Sequence, residues 1–71
     1  MLEKRSLSLS GHRTSLALEP EFWAALGALA TSDGLSLAAL VTRIDATRTP
    51  EQPLASALRV YALLKSQDSA L

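Results

Sequence analysis

Residues 14 to 19, Thr-Ser-Leu-Ala-Leu-Glu, alternate as a strand does, and Pro20 follows directly at the head of a helical pattern. That junction constrains the fold more than any other stretch. A lone strand leaves its backbone donors and acceptors unpaired, so these residues require a strand beside them. The run Ser6-Leu7-Ser8-Leu9 alternates in the same way, and Ser10-Gly11-His12-Arg13 lies between the two with a turn-type glycine. Two alternating runs around such a turn point to a hairpin or a paired ribbon. Leu16 and Leu18 then share one face of the second run, and Arg13, Ser15 and Ala17 share the other.

Three helices are expected after the strand. Pro20 suits the first helical position, where its missing N–H costs nothing, and Glu19 and Glu21 flank the positive end of the helix dipole. Phe22, Leu26, Leu29 and Ala30 recur on one helical face, with Trp23 beside it. Gly34 suits the left-handed position past the helix end. Ser36 is a good N-cap for a second helix, whose apolar face is Leu37, Leu40, Val41 and Ile44. That helix stops before Thr49-Pro50, because the residue preceding proline avoids helical geometry. In a third helix Leu54, Ala57, Leu58, Tyr61 and Leu64 share a face, with Val60 next to it, and the polar tail from Ser66 is expected to fray. The expected layout is one domain over 1–71, with a ribbon or hairpin over 4–19 and helices over 20–32, 36–48 and 53–66.

A chain of 71 residues builds only a small core and is marginal alone. Small scaffolds gain stability from disulfides, metals or a second subunit. There are no cysteines and a single histidine, which argues against disulfides, thiolate sites and imidazole-rich metal sites. Oligomerisation remains. Hydrophobic residues make up 48% of the chain, more than one small core can hide. An antiparallel ribbon formed with a second copy would satisfy the strand and absorb that excess. No apolar run approaches the ~18 to 20 residues of a membrane span, and no apolar stretch follows the basic pair Lys4-Arg5 as a secretory signal requires. A cytoplasmic protein is expected, with no membrane partner.

The formal net charge is zero, but it is unevenly placed. Residues 1 to 18 hold Lys4, Arg5 and Arg13 against Glu3, a balance of +2, and the remainder carries −2. A basic N-terminal arm on a near-neutral body is one footprint of phosphate-backbone binding; an ordinary solvated terminus is the other reading.

The segments "KRSLSLSGHRTSLALEPEFWAAL", "GLSLAALVTRIDATR" and "SALRVYALL" together resemble a ribbon-helix-helix domain, and in particular the short stand-alone bacterial proteins of that superfamily. The similarity spans about residues 4 to 65. It implies a mainly α fold with an N-terminal strand or hairpin, two core helices and an extra C-terminal helix, in an intertwined homodimer joined by an intersubunit antiparallel ribbon. It also implies binding to double-stranded DNA, with the ribbon in a major groove wide enough to admit it. Carried onto this chain, the outward ribbon residues are Arg13, Ser15 and Ala17. Arg13 offers a bidentate pair to guanine and Ser15 a permissive hydroxyl, while Ala17 can touch only a thymine methyl. Ser36 would set the second helix N-terminus on a phosphate. Lys4 and Arg5 would grip flanking phosphates, unless the segment they lie in pairs as a hairpin outside the ribbon. His12 reads as a turn residue.

Nothing in the sequence supports an enzyme. There is no nucleophile beside a base, no phosphate loop, and no paired carboxylates in an apolar setting, so no catalytic residue, cofactor or metal is expected. Phe22, Trp23 and Tyr61 are too scattered for a stacking platform and read as core. Asp45 with Arg48 or Arg59 is a candidate inter-helix network. The expected function is a small transcription regulator. The alternative is a dimeric protein-interaction module, antitoxin-like or an adaptor, using the third helix or the hairpin for a protein partner.

Overall fold

The computed structural model describes residues 1–69, with side chains through residue 67. The elements run β1 (Glu3–Leu9), β2 (His12–Leu18), α1 (Pro20–Ser32), α2 (Leu37–Thr47) and α3 (Leu54–Ser69). This is the expected fold: an antiparallel two-stranded hairpin followed by three helices.

Ser10 and Gly11 alone form the loop, and both have positive φ, 50° and 85°. A two-residue hairpin loop of this twist needs that pair of conformations, which suits glycine at the second place. The register runs from Leu9 opposite His12 to Glu3 opposite Leu18. His12 and Arg13, expected in the turn, therefore belong to β2, because the tight loop consumes only two residues. The inner edge of β2 is satisfied by β1 of the same chain.

Residues directly opposite in a sheet share a face. Glu3, Arg5, Leu7 and Leu9 thus join His12, Thr14, Leu16 and Leu18 on the helix-facing side. Leu9 and Leu18 are buried there, while Leu16 and Leu7 are half-buried.

Helix α1 starts as its sequence dictates. Pro20 is in the first turn and the carbonyl of Glu19 accepts from the amides of Phe22 and Trp23. It ends on Gly34 at φ 70°. There the Leu35 amide donates to the Ala30 carbonyl at 2.8 Å and the Gly34 amide to Thr31 at 3.1 Å, the paired closure of a left-handed helix terminus. Ser36 caps α2, its hydroxyl accepting from the Ala39 amide at 3.1 Å.

The core lies where the hairpin and the three helices meet. It contains Leu9 and Leu18, then Trp23, Leu26 and Ala30 of α1, Leu40, Val41 and Ile44 of α2, and Ala57, Leu58 and Ala62 of α3. Each large side chain buried there contributes about 1.5 to 3 kcal/mol. Two helical faces differ from expectation. Trp23 is fully buried and Phe22 only partly, so α1 is turned by about one residue, because Trp23 also has to meet β1. In α3 the core takes Ala57, Leu58 and Ala62, leaving Val60 and Leu64 exposed. The helix continues to Ser69 where fraying was expected from Ser66; the last two residues of that tail lie outside the described residues.

Candidate nucleic-acid interface

The hairpin's outer face is built by the same alternation that fills the core. With Leu7, Leu9, Leu16 and Leu18 turned inward, the cross-strand pairs Lys4 with Ala17, Ser6 with Ser15 and Ser8 with Arg13 all face outward. Ala17 is half-buried and the other five are exposed. The face therefore carries two cations, three hydroxyls and no carboxylate. Among the described residues, none of these side chains has a hydrogen-bond or ion-pair partner.

Of the residues singled out from sequence, Lys4, Arg13, Ser15 and Ala17 come together on this face. Arg5 does not. It sits on the helix side of β1, ion-paired with Glu3, with its guanidinium 4.9 Å from the centre of the Trp23 ring. Adjacent strand residues point to opposite faces, so Lys4 and Arg5 could never share one. Ser36 lies on a separate element, exposed at the start of α2. Its hydroxyl is engaged by Ala39, and the amides of Leu37 and Ala38 that precede it have no partner within the helix. Ser6 and Ser8 were not singled out from sequence, although the Ser-Leu-Ser-Leu alternation places them beside Lys4 on this face.

Away from this face, several charges are paired. Arg59 of α3 donates to the Glu19 carboxylate at 2.9 Å and lies 5.9 Å from the Phe22 ring centre. That hydrogen bond from Arg59 holds the Glu19 carboxyl below its ordinary value of 4.5. Arg48 pairs with Asp45 at 2.6 Å within one helix turn and also donates to the Gln52 carbonyl at 2.8 Å. The expected Asp45 network thus closes on Arg48, and Arg59 serves the β2–α1 junction instead. Arg43 reaches Asp33 only at 3.8 Å, with both side chains exposed.

Among the described residues, no group of three or more metal-ligating side chains gathers. No single helix among them is long and apolar enough to cross a membrane.

The arrangement is one that can lay cations and hydroxyls on an anionic surface. Comparison with known proteins places the fold. A family model described as a ribbon-helix-helix domain matches residues 2–65. Among solved structures, the chain resembles an uncharacterized protein from Bordetella pertussis Tohama I, with a TM-score of 0.79 and 30% sequence identity. The match covers 99% of this chain and 59% of that one, so the chain spans less than two thirds of its structural relative. No curated protein matches.

Proposed function

This chain belongs to the ribbon-helix-helix domain family, and we propose that it acts as a dimeric DNA-binding protein, a small transcriptional regulator whose sheet addresses the major groove. The family in general comprises DNA-binding regulators and antitoxins. The observation that carries the reading for this chain is the outer hairpin face, with Lys4, Arg13 and three serines and no carboxylate. Arg13 would read guanine and Ser15 would tolerate several bases. The start of α2 at Ser36 would rest on the backbone.

The dimer would form through the open edge of β2. The two edges of the hairpin differ in chemistry. β1 carries Glu3, Lys4 and Arg5, and charged side chains are a common guard on edge strands. From Thr14 to Leu18, β2 carries no charge at all, and Leu16 is only half-buried. Pairing with a second β2 would cover that leucine and satisfy the open backbone groups.

The test is duplex binding by the purified protein at two salt concentrations, using fragments from its own genomic neighbourhood. Binding that falls steeply with salt and favours one fragment is the expected result. No binding at low salt would overturn the reading.

A second reading has its own observation. Val60, Leu63 and Leu64 are 45%, 56% and 55% exposed along one side of α3, which gives an interaction module or antitoxin-like protein a surface for a protein partner.

A further inference from the structure

The hairpin changes what the proposed DNA-binding surface has to be. Two β2 strands paired at their open edges would carry a β1 on each side, because β1 occupies the other edge of each β2. At a spacing of about 4.8 Å per strand, the two β1 strands lie roughly 14 Å apart. The major groove is about 12 Å wide and admits a two-stranded ribbon. The four-stranded sheet cannot enter as a unit. Its β2 pair fits over the base edges, and each β1 falls over a sugar–phosphate rim.

The residues that β1 turns outward suit that place. Lys4, Ser6 and Ser8 are exposed on the outer face, and Glu3, the strand's one carboxylate, points to the other side. Serine is short enough to let a strand backbone approach a phosphate closely, and its hydroxyl is a donor to phosphate oxygen. An acidic side chain at either place would repel the phosphate and hold the strand away. The alternation that turns Leu7 and Leu9 inward therefore also supplies a row of short donors ending in a cation.

We propose that the outer face of β1, formed by Lys4, Ser6 and Ser8, is a phosphate-binding flank that holds each side of the sheet on the DNA backbone, outside the groove that β2 addresses. The inference rests on the DNA-binding reading above. It differs from that reading in giving affinity, without base preference, to a strand that a two-stranded ribbon does not possess.

The salt dependence of duplex binding tests it. Ser6→Lys and Ser8→Lys each add two cations per dimer, and each neutralised phosphate adds about 0.9 to the slope of log affinity against log salt. Each substitution is expected to steepen the slope by about 2, with no change in which fragment is preferred. Lys4→Gln is expected to reduce it by about 2 and needs no new side chain to be accommodated. Gln67→Lys, exposed on α3, adds the same charge away from the sheet and is expected to change the slope by less than about 1. Wild-type binding with unchanged slopes in the Lys4, Ser6 and Ser8 variants, or with slopes equal to that of Gln67→Lys, would overturn the flank and leave the regulator reading intact. Failure of the wild-type protein to bind any duplex at low salt would overturn both.

Discussion

Trp23 donates its indole N–H to the backbone carbonyl of Glu3 at 2.7 Å, across 20 residues of sequence. One ring thereby fills the core, anchors the first strand to the first helix, and carries the Arg5 guanidinium on its face. Trp23→Phe keeps the apolar ring but removes the indole bond, one of the two that the carbonyl accepts, beside the ladder bond of the Glu3–Leu18 pair, and removes volume. A loss of about 0.5 to 1.5 kcal/mol is expected from the missing hydrogen bond, read as a lower urea midpoint. Hydrogen exchange should rise first at β1. An unchanged midpoint would mean that the strand is held by its ladder alone.

The Glu19–Arg59 contact makes the β2–α1 junction sensitive to acid. Glu19 ionises more readily folded than unfolded, because Arg59 hydrogen-bonds its charged form. A carboxyl depressed by folding stabilises the protein above its unfolded value, and that contribution is lost as pH falls through the folded one. Stability should therefore decline from about the ordinary value of 4.5 downward. Glu19→Gln should be less stable than wild type near neutrality and should lose less on acidification. Parallel pH curves for the two proteins would remove Glu19 from the account.

The two edges of β2 can be separated with proline. A two-residue loop closes on a hydrogen-bonded pair, and antiparallel pairs then alternate. Leu9 with His12 is that first pair, so Leu16 bonds toward β1 and Ser15 toward the open edge. Ser15→Pro should leave the hairpin and helices intact while producing a monomer in sedimentation. Leu16→Pro should damage the hairpin itself. A stable Ser15→Pro dimer would place the subunit contact elsewhere.

Two leucines of α3 give opposite expectations. Leu58 is 0% exposed and Leu63 is 56% exposed. Leu58→Ala should cost about 2 to 5 kcal/mol. Leu63→Ala should fall within about 0.5 kcal/mol, as measured by chemical denaturation. A large loss at Leu63 would reveal a contact made only in an assembly.

Arg13→Ala should weaken binding to a preferred duplex by about 1 to 3 kcal/mol and relax its sequence preference. Equal loss across all fragments would make Arg13 a phosphate contact.

Local chemistry was the legible part of this fold. Pro20, Gly34 and Ser36 mark helix ends through bonds within a few residues, and the structure uses each in that role. The alternation of β2 likewise separated Leu16 and Leu18 from Arg13, Ser15 and Ala17. What the sequence reading misplaced or left open depends on partners far along the chain. Whether Phe22 or Trp23 enters the core turns on β1, and Arg59 meets a carboxylate 40 residues away. In α3 apolar residues occur on more than one side, so periodicity could not say that Leu64 would stay outside. The separation of Lys4 from Arg5 was within reach, but the run Glu3-Lys4-Arg5 reads as a charge cluster unless the Ser-Leu alternation is extended back through it.

The unequal edges of the hairpin also bear on where growth stops. A sheet that adds chains at both edges polymerises, whereas one that adds at a single edge is complete at two copies. With β2 open and β1 fringed by Glu3, Lys4 and Arg5, the proposed edge pairing would be self-terminating. Neutralising Lys4 and Arg5 together would remove the stop, and the strand pairing proposed here to close a dimer could then run on into fibres.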